Sequence, residues 1–152
     1  MTKEEMVKLL VGDLTNEMRH MMFYLRNAAT LQGLHRQEIR ELFIEEAASE
    51  MKHVQEFQDL LVGLGVNLAT MTNEPSVNID MNAVNAIVVF NDPTLAVRYA
   101  MMMEDEVVAN YTERIKQAQE LGGVDGQFIE IFLEEQLLHS RQDADNFRQL
   151  GV

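Results

Sequence analysis

The stretch Glu46-Ala47-Ala48-Ser49-Glu50-Met51-Lys52-His53 interrupts an apolar helical stripe with ligand-type side chains. Around it, Ile39, Leu42, Phe43, Ala47, Val54, Phe57, Leu60 and Leu61 recur at helical spacing. Glu46, Glu50 and His53 fall in line with these residues, on the face that a folded helix turns inward. A carboxylate in a buried stripe is costly unless it is paired or holds a cation. Glu50 and His53 are three residues apart, so both project from one face and can hold one ion.

Three other segments repeat the pattern. Glu17 and Tyr24 lie on a stripe formed by Met6, Leu9, Leu10, Leu14, Met21, Leu25, Ala28 and Leu31. Glu104 and Tyr111 lie on one formed by Val97, Ala100, Met101, Val107, Val108, Ile115 and Ala118. Glu135, Gln136 and His139 fall near a stripe of Phe128, Ile131, Phe132, Leu138, Phe147 and Leu150. The halves of the chain echo each other, since each tyrosine follows its glutamate by seven residues. Glu50 follows Glu17 by 33 residues and Gln136 follows Glu104 by 32. Each half offers one single carboxylate and one i, i+3 pair at matching depth. Two metal ions at the centre of a four-helix bundle are the simplest account.

Helix boundaries come from caps and glycines. Thr2 with Glu5 reads as a capping box, and Gly33 ends the first helix. Gly63 and Gly65 stop the second. Asp92-Pro93 starts the next long helix, and Gly122-Gly123 closes it. The spacing predicts helices over about 3–32, 36–62, 93–121 and 126–150, in a single domain spanning 1–152. Residues 64–92 are a connector containing Pro75 and asparagines 67, 73, 78, 82, 85 and 91. Within it, residues 81–90 suit either a short helix or an extended apolar strap. Short links inside each half imply antiparallel hairpins. The long link can cross the whole length of a helix of roughly 40 Å. The fold class is therefore all-α, two antiparallel hairpins joined by a long crossover.

The bulk composition narrows the function. The chain carries 25 acidic and 12 basic residues, for a net charge of −13. Such a surface disfavours nucleic acid and anionic membranes and suits a protein that attracts cations. There is no cysteine, so thiolate metal sites and disulfides are excluded. No apolar run reaches the length of a membrane span. The acidic start, Met1 to Glu5, does not read as a signal peptide, and a cytoplasmic location is the expectation. Carboxylates with imidazoles and no sulfur suit iron or manganese. The tyrosines, two turns along each face, can hydrogen-bond a ligand or donate an electron.

The Glu50-Met51-Lys52-His53 core matches the second-helix signature of bacterioferritin, and Glu17 through Tyr24 resembles its first-helix motif. The chain as a whole resembles the ferritin-like superfamily of di-iron carboxylate bundles. The resemblance implies a ferroxidase centre with two irons per subunit bridged by Glu50 and Glu104. One iron would add Glu17 and His53, and the other His139 and the group at 136. It implies Fe(II) and dioxygen or peroxide as substrates, ferric storage or detoxification as the outcome, and a homo-oligomer. Manganese, or mixed manganese and iron, suits the same ligands.

This sequence departs from bacterioferritin at Gln136, where that family has a glutamate. Glu135-Gln136 instead resembles a pair found in non-haem bacterial ferritins. Only 13 residues follow His139, so the short terminal helix of cage ferritins is expected to be missing. Glu46, Glu135 and His20 are accessory metal candidates. Met51 aligns with the methionine that ligates haem between bacterioferritin subunits. Two other functions fit the pattern: a rubrerythrin-like dimeric oxidoreductase acting on peroxide or an organic substrate, and a mini-ferritin or compartment-cargo protein.

Overall fold

The computed structural model describes residues 1–69 and 79–152. They form α1 (Lys3–Thr30), α2 (Arg36–Gly63), α3 (Met81–Asn85), α4 (Pro93–Leu121) and α5 (Gly123–Gln149), with no strand among the described residues. Five helices thus replace the expected four, and the additional one, α3, lies inside the connector. The chain divides into two compact units, Val7–Pro93 and Met1–Met6 with Thr94–Val152.

The capping box at the start of α1 is formed. Glu5 N–H donates to Thr2 Oγ1 at 3.1 Å, and Thr2 N–H donates to Glu5 Oε2 at 2.7 Å. Within the first unit, α1 and α2 run antiparallel. The Tyr24 and Phe43 rings meet edge-on at 5.2 Å, and Glu17 meets the Glu50–His53 turn further along. Phe23 and Tyr24 are buried, whereas Leu25, assigned to the stripe from spacing, is exposed and Met21 half-buried. The aromatic rings fill the hairpin core, while Met6, Leu10, Leu14, Ala28 and Leu31 are buried as the spacing predicts. Gly65, at φ 90°, ends α2 in a Schellman arrangement, with Val66 N–H donating to Leu61 O at 3.0 Å.

The connector is where pattern reading left two options, and both occur. Asp80 caps α3 by accepting from Ala83 N–H at 3.1 Å, and Val84 is its buried residue. Residues 86–91 then form a strap against the end of α1. Gln32 N–H donates to Asn91 O and Thr30 Oγ1 donates to Phe90 O, both at 2.8 Å. Asn27 is the clamp. Its amide donates to Phe23 O at 2.9 Å and Val88 O at 3.0 Å, while its Oδ1 accepts from Phe90 N–H at 2.7 Å. The connector therefore leaves the C-terminal end of α2 and returns to the level of its N-terminal end. Pro75, Asn73 and Asn78, in its middle, lie outside the described residues.

In the second unit α4 and α5 form a hairpin closed by Gly122, whose φ of 67° favours glycine. Gln119 Nε2 donates to Glu130 Oε1 at 2.8 Å, and Arg148 Nη2 reaches both Asp105 carboxylate oxygens at 2.6 Å. The α5 stripe differs from the expected one. The buried residues are Gly126, Ile129, Leu133, Gln136, Ser140, Ala144 and Phe147. Phe128, Ile131, Leu138 and Leu150 are exposed. The inward face begins with a glycine because the hairpin is tight at its closed end. A Cβ built on Gly126 would sit 2.5 Å from Ala118 O. The helix α5 starts at Gly123 rather than near 126.

Gly126→Ala is therefore expected to cost about 2–3 kcal/mol, since a backbone oxygen cannot swing aside. Gly12, mid-helix in α1 with nothing within 4 Å of its added Cβ, is the control. Gly12→Ala should stabilise by roughly 0.5–1 kcal/mol. Urea midpoints of the two variants check both signs.

Candidate metal centre

The inward faces of α1 and α2 bring four ligand-type side chains together. Glu17, His20, Glu50 and His53 are each at most 3% exposed. His53 Nδ1 lies 3.4 Å from Glu50 Oε2 and 3.5 Å from Glu17 Oε2. Glu17 and Glu50 also hydrogen-bond each other. Glu17, His20 and Glu50 each place a ligand atom within 4.8 Å of the others. Among the described residues, His20 Nδ1 has no hydrogen-bond partner. Glu46 is buried one turn before Glu50. Met51 points away and is 62% exposed. Tyr24 is fully buried two turns along α1, edge-on to Phe23 and Phe43.

Burial alone would raise the Glu17 pKa. Hydrogen bonds from Glu50 and His53, with the charges of His53 and His20, outweigh it and bring the group down to about 2. Burial lowers His20 to about 4 against the opposing pull of Glu17. Both groups bind fewer protons folded than unfolded, so their contribution is present at neutral pH and lost on acidification. For His20 the loss runs from its unfolded value of 6.5 down to about 4. For Glu17 it runs from 4.5 down to about 2. The metal-free protein should therefore lose stability as pH falls below 6.5, by up to about 3 kcal/mol from His20. Urea unfolding at stepped pH checks this, and a flat profile between pH 7 and 4 would contradict it.

The α4–α5 unit holds the other sequence-assigned residues. Glu104, Tyr111 and Gln136 are buried, His139 is half-buried and Glu135 is exposed. One residue step along a helix turns the side chain by about 100°. With Gln136 facing fully inward, Glu135 is turned to solvent. Asp143 was not read from the pattern, yet its carboxylate lies within 4.8 Å of that of Glu104. It is seven residues beyond Gln136 and four beyond His139, a spacing that could have found it.

Two carboxylates and two imidazoles, buried and without sulfur, are a donor set for a hard-to-borderline divalent cation. An imidazole nitrogen buried without a partner is the kind of group that an ion would satisfy. The chemistry of the α1–α2 cluster thus fits iron or manganese.

A family model described as a ferritin-like domain matches residues 7–150. Two solved structures have a similar fold. One is a ferritin-like, diiron-carboxylate protein from Bacillus anthracis, at TM-score 0.75 and 22% identity, covering 97% of this chain and 96% of that one. The other is a dodecameric thioferritin, the bacterioferritin-related protein from Bacteroides fragilis. It aligns at TM-score 0.70 and 15% identity, covering 97% of this chain and 86% of that one. No functionally curated protein matches the sequence significantly. Among the described residues, no helix is long and apolar enough to cross a membrane.

Proposed function

We propose that this chain, which belongs to the ferritin-like domain family, takes up Fe(II) as its substrate and oxidises it to Fe(III). Dioxygen or peroxide accepts the electrons, and the ferric product is stored or rendered harmless. The observation that carries this reading is the cluster of Glu17, Glu50 and His53, buried together in the α1–α2 hairpin. Nothing in a purely structural role requires two carboxyls and an imidazole at this depth, where their desolvation opposes folding. A bound cation offsets that cost.

The proposed ligands are Glu17, Glu50 and His53 from the first unit and Glu104, Gln136 and His139 from the second. The diiron-carboxylate description of the Bacillus anthracis structure supports a complement of two irons per chain. Glu17 and Glu50 ligate as ionised carboxylates, so cation uptake competes with protons at these groups. Tyr24, packed among Phe23 and Phe43 and shielded from water, is proposed as a local electron donor. Tyr111, also buried, takes the same role on α4. The neutral amide of Gln136 makes its half of the ligand set weaker for iron than a glutamate would. The dodecameric state of the Bacteroides fragilis protein supports a homo-oligomeric assembly for this one.

Aerobic titration of the metal-free protein with Fe(II), followed by ferric absorbance, tests this. Rapid oxidation breaking near about two irons per chain, then continuing well beyond, is the expected course. Absence of any fast phase would remove the ferroxidase reading.

A further inference from the structure

We propose that His20 is itself a metal ligand, contributing a second imidazole to the set of Glu17, Glu50 and His53. The proposal rests on the metal-binding reading above and deepens it.

His20 follows Glu17 by three residues on α1, so the two side chains leave the helix on one face. His20 is 3% exposed, and a ring nitrogen lies within 4.8 Å of ligand atoms of both Glu17 and Glu50. Ligand atoms about 2.1 Å from one ion are at most roughly 4.2 Å apart. The observed spread therefore closes onto an ion with small side-chain rotations. Hydrogen bonding supplies the second observation. A histidine buried only for packing ordinarily ties both ring nitrogens to partners. Here Nδ1 has none among the described residues. A buried ring nitrogen without a hydrogen-bond partner, on an imidazole close to two carboxylates, is suited to a cation.

The added imidazole makes the set richer in nitrogen than a ligand group with one histidine and two glutamates. Imidazole favours later, softer divalent ions, and carboxylate favours Mg(II) and Mn(II). Removing His20 should therefore weaken Co(II) more than Mn(II), changing metal preference as well as affinity.

Co(II) is the probe, added anaerobically to the metal-free full chain, wild type and the variants His20→Phe and His20→Gln. Phenylalanine keeps the ring volume without a donor, and glutamine keeps a polar group of similar length. Far-UV circular dichroism of the metal-free proteins reports folding. Both variants should bind Co(II) about 10–100-fold more weakly than wild type. Their visible ligand-field bands should also shift, which loss of packing alone would not produce. Unchanged affinity and bands in folded variants overturn the proposal and leave the iron reading intact. Failure of the wild type to bind either Co(II) or Fe(II) overturns both. Should neither variant fold, proton NMR of the Co(II)-loaded wild type decides. His20 ring protons shifted outside the diamagnetic range support ligation, and ring protons left in place overturn it.

Discussion

Glu50→Leu is expected to abolish stoichiometric metal binding and to lower the stability of the metal-free protein. Glu50 is 1% exposed, bonded to Glu17 and 3.4 Å from His53 Nδ1. Leucine nearly conserves the volume and removes both ligand oxygens. Loss of one carboxylate from a small ligand set should weaken iron by at least about a thousandfold, roughly 4 kcal/mol. The apolar replacement also removes the leading hydrogen bond that holds buried Glu17 ionised. Removing one partner of a buried polar pair typically costs about 3–5 kcal/mol. The two readouts are iron per chain after desalting and the urea midpoint of the metal-free variant. Wild-type iron content in Glu50→Leu would remove Glu50 from the site. Stability at or above wild type without metal would show that Glu17 does not depend on Glu50 in the folded state.

Asn27→Asp should be among the most damaging single-atom changes in the chain. Asn27 is fully buried and uses both ends of its amide. Its Nδ2 donates to two carbonyls, Phe23 O and Val88 O, while its Oδ1 accepts from Phe90 N–H. Aspartate retains the acceptor but turns a carboxylate oxygen toward two carbonyl oxygens. An uncompensated buried charge costs about 3–5 kcal/mol. Burial among acceptors raises the folded pKa of the new carboxyl above its unfolded value. The penalty is then largest at neutral pH and shrinks as the pH falls toward the unfolded pKa. Asn27→Ala, which removes the clamp without adding charge, should cost less at pH 7. Urea unfolding of both variants at pH 7 and pH 4 checks the order and its pH dependence. An Asn27→Asp protein within about 1 kcal/mol of wild type at pH 7 would mean that the strap is not anchored here.

Much of the scaffold is legible in local pattern because its causes are local. Thr2 and Glu5 cap α1 through atoms three residues apart, and Gly65 ends α2 because its own φ is positive. The spacing of Ile39, Phe43, Ala47, Phe57 and Leu60 requires nothing beyond α2 to be seen, and all five are buried. Inward placement of Glu17, Glu50 and Glu104 follows from the same periodicity. Together with the short links inside each half, these features suffice for an all-α chain of antiparallel hairpins.

Other features depend on contacts between segments distant in sequence. On α5 two apolar series compete, and hydrophobicity favours the one carrying Phe128, Ile131 and Leu138, which is exposed. The buried series contains Gly126, Ile129, Leu133, Gln136, Ser140, Ala144 and Phe147, and at its start the approach to the Ala118 carbonyl leaves room only for glycine. The spacing of Asp143 from Gln136 and His139 is local, but its proximity to Glu104 is visible only once the α4–α5 hairpin is closed. The strap's position depends on Asn27 meeting Val88 and Phe90 some sixty residues away. The open nitrogen of His20 likewise emerges only when α1 and α2 are packed. Periodicity and capping are properties of one helix and persist in any context. The choice of inward face, the path of a connector and the satisfaction of a buried atom are set by what lies opposite, and are fixed only on packing.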